Sequence, residues 1–417
     1  MPKLVRLLPL SLLIGVTIAK SLSLTYWEYG PAYQIGLQLS LGTPSQIVYL
    51  IPSVNDNEIF LVGPDACAPG CETQLGGQFS TSNSSTWRPT TNVTIGNAGA
   101  LDWWNGSQVE YTLGYERGQF DYLPETSFSN LGLEIAVLNN RSQDDWIPLQ
   151  NTLGLGSNST FLNSLMRNGV IESRSFGLHE MNVDLGSFDE SRIVGQRYSS
   201  PILQNTGYLG GLQVTVTDMS INGRSLMNRT SGPFNATLGL STTRRSYVPQ
   251  VVAEDFYNIT AADAPTNWSK FDEPVWNQAR SSSTEPFMLV VKLSNGATLN
   301  VDSSSLKRAI FEEKDTEMYG YVNEYYTYGG SRTQYTKSNM VGIDLLDAEV
   351  KADNPGIEAL FGMDFVSYQT YLYVDWDKQE FELAATKDLN GSAGVVQISW
   401  RTTWAVVFLS VAMVIMF

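Results

Sequence analysis

Histidine is almost missing from this 417-residue chain: His179 is the only one. A metal centre built on imidazoles is thereby excluded, and a Ser/His/Asp triad would have to use this single residue. His179 follows Phe176-Gly177-Leu178 on a strand-like run with no nucleophile motif beside it. It therefore reads as a surface or hydrogen-bonded histidine. Cysteine is nearly as scarce. Cys67 and Cys71 are the only two, too few for a zinc site without histidines nearby. In an oxidising compartment they would form one disulfide closing a tight loop. So short a loop stabilises only modestly, because its closure removes little entropy from the unfolded chain. Positive charge is in deficit as well: 26 Lys and Arg face 42 Asp and Glu, for a net charge of −16. That balance argues against nucleic acid, since phosphate binding needs a basic face. Helical periodicity is sparse, with Phe161–Asn168 and Gln250–Tyr257 the best short candidates. Phosphate loops and metal clusters are absent, and Gly210-Gly211 and Gly329-Gly330 read as turns. No cofactor and no metal are expected.

What is present begins with two end signals. Lys3 and Arg6 precede an apolar run from Leu7 to Ile18, with small residues near Ala19 and Ser21. This is the pattern of a signal peptide over residues 1–20, and a buried first strand is the rival reading. At the other end, Asn390-Gly391-Ser392-Ala393-Gly394 is a small-residue cluster. A spacer and an apolar tail from Trp404 to Phe417 follow it. The order matches a GPI-anchor signal over residues 389–417. A transmembrane helix is the alternative, but Arg401 shortens the run below the roughly 20 residues that spanning needs, and no Lys or Arg follows the tail. Both signals imply export to the cell surface, tethered at the plasma membrane or wall. Sequons at Asn83, Asn92, Asn105, Asn140, Asn158, Asn228, Asn235, Asn258 and Asn267 fit a glycosylated exterior. Asn390 also lies in a sequon but competes with the anchor site.

The stretch between the signals is long enough for two domains of ordinary size. Its texture is all-β: short runs of Val, Ile, Thr, Tyr and Trp broken by Gly, Asn, Ser and Pro. Tyr33–Leu39, Leu212–Val216 and Phe287–Val291 alternate as strands with one buried face do. An internal repeat shows through. Each half has a Ser/Thr-containing loop between apolar strands and, later, an apolar pair followed by glycine. In the first half the later element is Thr152-Leu153-Gly154-Leu155-Gly156, in the second Leu360-Phe361-Gly362-Met363-Asp364. The halves divide near Tyr198–Leu212, giving residues 21–200 and 201–388.

These pieces, in this order, resemble the pepsin-like aspartic proteases, the peptidase A1 family, over nearly the whole mature chain. Gly42-Thr43-Pro44-Ser45-Gln46 resembles the family's I-G-T-P-x-Q strand, and Ile59-Phe60-Leu61 its L-W-V. Phe79-Ser80 through Ser84-Ser85-Thr86-Trp87 is similar to the segment after the small disulfide loop. Thr152–Gly156 resembles G-[IL]-L-G-L-G, and Leu165–Ile171 the helix and turn that follow. Ser175-Phe176-Gly177-Leu178, Leu360-Phe361-Gly362 and Tyr371-Leu372-Tyr373-Val374-Asp375 resemble later family strands. Several details are most similar to a divergent fungal branch. The resemblance implies a bilobal fold with a cleft between two related β-rich lobes.

It also implies a carboxylate from each half. In this family two carboxylates share one proton, and one acts as base on a shared water. Here the first loop reads Pro52-Ser53-Val54-Asn55 and the second Gly239-Leu240-Ser241-Thr242. Aligning the flanking residues puts Ser53 and Leu240 at the two aspartate positions. A serine cannot take the proton at neutral or acid pH, and a leucine cannot even hydrogen-bond the water. Shifting register does not help, because no Asp or Glu lies between Asp218 and Glu254. Tyr111 and Tyr115 lie where the family has its flap tyrosine, and packed aromatics are the plainer reading of both. Arg244 and Arg245 could attract an acidic ligand or peptide C-terminus, or simply be a solvated turn. The expectation is a monomeric, proteolytically inactive surface glycoprotein whose cleft binds peptide or another extended ligand. The alternatives are an active endopeptidase with unusual residues and a cell-wall scaffold.

Overall fold

The structure, a computed structural model, describes residues 22–29, 34–66, 76–90, 94–97, 108–120, 131–140, 151–179, 182–204, 211–239, 246–260, 286–303, 306–313, 319–321, 332–341, 344–345, 358–366 and 369–387. The first half contains β1 (Leu22–Tyr29), β2 (Gln34–Leu41), β3 (Gln46–Ser53), β4 (Ile59–Val62), β5 (Arg88–Pro89) and β6 (Thr94–Asn97). It continues with β7 (Gln108–Phe120), β8 (Leu131–Asn140), β9 (Thr152–Gly154), helix α1 (Thr160–Arg167), β10 (Ser175–His179), β11 (Asn182–Leu185) and β12 (Ile193–Pro201). The second half opens with β13 (Gln213–Ile221), β14 (Arg224–Ser225), β15 (Phe234–Leu238), β16 (Tyr247–Val248), α2 (Gln250–Thr260), β17 (Met288–Leu293) and β18 (Thr298–Asp302). It ends with β19 (Lys307–Glu313), β20 (Tyr319–Tyr321), β21 (Arg332–Val341), β22 (Asp344–Leu345), β23 (Ala359–Phe361), α3 (Met363–Val366), β24 (Thr370–Asp375) and β25 (Glu380–Thr386). The fold is all-β with few helices, as the strand-rich texture predicts.

Period-two patterning accounts for the strands. In β13, Val214, Val216, Met219 and Ile221 are buried while Thr217 is exposed. β24 reads Thr-Tyr-Leu-Tyr-Val-Asp and is buried at every position, as a strand covered on both faces must be. The helix α1 has a Ser159 cap, whose hydroxyl accepts from the Leu162 N–H at 3.1 Å. That bond satisfies one of the donors a helix start leaves unpaired.

One sheet of 14 strands runs β12-β25-β24-β10-β11-β1-β2-β3-β9-β4-β8-β7-β5, with β6 on β7. β7 also returns to β2, pairing Leu39 with Phe120. The strands β2, β3, β9, β4, β8 and β7 thus close on themselves around Leu39, Val48, Leu50, Leu61 and Ile135, all 0–1% exposed. A second sheet runs β18-β17-β13-β15-β23-β16-β22, with β14 on β13, and a third β20-β19-β21. The boundary expected at 200/201 falls inside β12 rather than in a linker. Moreover β24 and β25, late in the sequence, join the first half's sheet through β10 and β12. The described residues up to Thr386 accordingly form one unit.

Candidate functional site

The strands that flank the two Ser/Thr loops form two copies of one motif. In the first, β9 lies between β3 and β4. It runs parallel to β3, pairing Ser53 with Gly154, and antiparallel to β4, pairing Leu153 with Ile59. In the second, β23 lies between β15 and β16, parallel to the one and antiparallel to the other. Each half therefore threads a later apolar strand between the arms of an earlier loop. The internal repeat seen in the sequence is this motif.

Strand register refines the residue equivalence. β15 and β23 pair Leu238 with Phe361, and the Gly239 N–H donates to the Phe361 carbonyl at 3.0 Å. One step on, Gly239 stands level with Gly362 as Ser53 stands level with Gly154. The counterpart of Ser53 is thus Gly239, one residue before the Leu240 expected from aligned flanks. Leu240 itself lies outside the described residues. Ser241-Thr242-Thr243 and Pro249 carry no register information, whereas backbone hydrogen bonds do. A Cβ on Gly239 would stand 2.3 Å from Leu360 Cδ1, so a side chain there requires Leu360 to move.

Ser53 is completely buried. Its Oγ accepts from the Asn55 N–H at 3.4 Å and its carbonyl accepts from Leu155 N at 2.7 Å. Along the rest of the loop, the Asp56 carbonyl takes the Gly156 N–H and the Asn57 carbonyl takes the Thr160 N–H, both at 2.8 Å. Ser159 ties the helix start to the threaded strand by donating to the Gly154 carbonyl at 2.6 Å. The approach of the loop to β9 is close: a Cβ on Gly154 would lie 2.4 Å from the Glu58 carbonyl oxygen. The glycine of the apolar-apolar-glycine element is there for this contact. Asp56 is 3% exposed and three residues beyond Ser53.

Three contributors went unnoticed in the sequence. Asn151, fully buried, receives the Val62 N–H at 2.8 Å and donates to the carbonyls of Gly76 and Gly77, each at 3.0 Å. It binds both arms, since its own carbonyl accepts from Ile51. Its place directly before Thr152-Leu153-Gly154 is the available sequence signal. Ser159 is the second. Glu58 is the third: burial pushes its carboxyl above the ordinary range, and Glu134 on β8 pushes it further.

Tyr111 and Tyr115 lie on β7, four residues apart and so on one face. Tyr111 packs edge-on against Phe60 of β4, ring centroids 5.9 Å apart. Tyr115 is 42% exposed and pairs with Glu134 and Arg88 across neighbouring strands. The two tyrosines, which sequence alone left equivalent, are therefore distinct. Cys67, Cys71, Arg244, Arg245, Asn92, Asn105 and Asn267 lie outside the described residues, and of Asn140 only the backbone is described. Asn83, Asn158, Asn228, Asn235 and Asn258 are exposed. His179 is buried rather than at the surface, and neither ring nitrogen has a hydrogen-bond partner. Among the described residues no three His, Cys, Asp or Glu side chains cluster as a metal site, and no helix is long and apolar enough to cross a membrane. The chain matches no model of a known protein family and no curated protein.

Proposed function

We propose that this chain is a bilobal, pepsin-like protein of the aspartic protease type that has lost proteolysis and kept a capacity to bind an extended ligand. One observation carries the reading. The same threaded motif is built twice, and neither copy holds a carboxylate where the loop meets the glycine of the threaded strand: Ser53 in one, Gly239 in the other. Acid/base catalysis on a shared water needs a group within about 3 Å whose protonation changes near the working pH. A buried serine and a glycine do not provide it. Binding has separate requirements. An extended peptide can add as a strand to exposed backbone and seat its side chains against aromatics. Tyr111 beside Phe60, with the exposed Tyr115 on the same face, supports this capacity.

Export, N-glycosylation and GPI anchoring form part of the same proposal, supported by the two terminal patterns and the exposed sequons. The test uses the glycosylated protein secreted from a eukaryotic host. Incubation with an unfolded protein at acid pH should give no fragments, with or without a pepstatin-type inhibitor. Pepstatin-sensitive cleavage would overturn the loss of proteolysis. Screening against a peptide library should find binders, and Tyr111→Ala or Tyr115→Ala should weaken them by about 1–3 kcal/mol, as truncating an interface aromatic does. Absence of any binder would leave the scaffold reading. A tryptophan at Ser53 is a poor probe, because that side chain is enclosed and the change would disturb the fold.

A further inference from the structure

The chain's single histidine sits at a junction between distant parts of the sequence. His179 ends β10, which pairs with β11 on one side, His179 opposite Asn182, and with β24 on the other, Leu178 opposite Leu372. β24 and its partner β25 are late strands, so β10 and β24 form the seam between the beginning and the end of the molecule. His179 is 1% exposed and both its ring nitrogens are buried without a partner.

The groups facing it are already committed to one another. Arg192 binds Asp184 of β11 at 2.8 Å and Asp189 at 3.1 Å. The Tyr371 hydroxyl on β24 donates to Asp184 Oδ2 and accepts from the Asp189 N–H, each at 3.3 Å. The Tyr371 ring lies 6.2 Å from the imidazole, centroid to centroid. A proton arriving on His179 would therefore place a second cation near Arg192 in a buried seam, with both nearby carboxylates taken. Burial first, and Arg192 second, hold the imidazole below its ordinary titration range, against a smaller opposing pull from Asp184 and Asp189.

We propose that protonation of His179 is an acid switch that loosens the β10–β24 seam and releases the C-terminal strands. The sign follows from linkage. The folded state binds its proton less readily than the unfolded chain, so the stabilisation is complete above about pH 6.5. It is lost as pH falls toward and through the folded value.

Being the only histidine, His179 gives one imidazole signal in the full-length protein labelled at histidine. Its NMR titration midpoint should fall below that of a free histidine. Hydrogen exchange across residues 370–375, corrected for the intrinsic pH dependence, should rise by up to about tenfold per pH unit below pH 6.5. His179→Phe should abolish that rise and flatten the drop in melting temperature between pH 7.5 and 5. A midpoint at or above the free value overturns the proposal, and so does an equal drop in wild type and variant. Should His179→Phe fail to fold, the wild-type titration and the exchange of residues 370–375 decide the matter together.

Discussion

A hydroxyl fully enclosed at the end of β3 and an acidic side chain at the same place are very different physical objects. Ser53 is buried and its Oγ is engaged by the Asn55 N–H. Ser53→Asp would put a carboxyl into that enclosed site, and burial would raise its pKa. Its charged form would be destabilising by on the order of 3–5 kcal/mol. The penalty is smallest below about pH 4 and grows as pH rises through the folded value. Urea midpoints at pH 3.5 and pH 7 should show the variant losing far more stability at pH 7 than wild type does. Glu58 poses a natural version of the same question. Burial and Glu134 raise its pKa, so its protonated form is favoured by folding, and stability is lost as pH rises from the unfolded value through the folded one. Glu58→Gln should remove that part of the slope, measured as melting temperature against pH between 4 and 7. That a serine, Ser53, ends the strand leading into the first loop was legible from the sequence. The partner position was not. Choosing Gly239 over Leu240 takes the Gly239–Phe361 hydrogen bond, and no residue type announces a register.

At the scale of elements, the threaded motif depends on close backbone approach. Gly154→Ala would drive a Cβ to 2.4 Å from a backbone oxygen that cannot swing away. Overpacking of this kind costs about 1–3 kcal/mol, readable as a lowered denaturation midpoint. The loop is held from the far end of the chain as well. Trp376, at the turn between β24 and β25, donates its indole N–H to the Leu155 carbonyl at 2.8 Å. Trp376→Phe keeps most of the ring packing but leaves that buried carbonyl without its donor, a loss of about 1–3 kcal/mol. Hydrogen exchange around residues 151–157 should report it locally. Local patterning predicted the helices near Phe161–Asn168 and Gln250–Tyr257, and they form as Thr160–Arg167 and Gln250–Thr260. Both reflect short-range rules: a Ser159 cap in one case and apolar residues recurring every three or four positions in both. Asn151 was not legible, because its role is to bridge Val62, Gly76 and Gly77, which only the fold brings around it.

At the scale of the whole molecule, the net charge of −16 argues against a nucleic-acid partner, and the single histidine argues against a metal centre built on imidazoles. If the proposed reading is right, the absence of proteolysis should survive attempts at repair. Combining Ser53→Asp with Gly239→Asp should give no measurable peptidase activity against an unfolded substrate at acid pH. The first change puts a carboxyl that burial keeps protonated at acid pH into an enclosed site, and the second drives a side chain into Leu360. Recovery of pepstatin-sensitive activity would instead show that the surrounding site is intact. The repeat was visible in the sequence, yet the expected boundary at 200/201 cuts through β12. Strands β24 and β25 return to β10 and β12 in the first half's sheet. By itself the sequence determined the all-β character, the repeated loop and the lack of a carboxylate between Asp218 and Glu254, because these depend on residue type and local periodicity. The tertiary structure alone decided which residue faces which glycine, which tyrosine meets Phe60, and that the only histidine is buried in a seam. Those are matters of strand register and long-range pairing, set by hydrogen bonds between residues up to about two hundred positions apart.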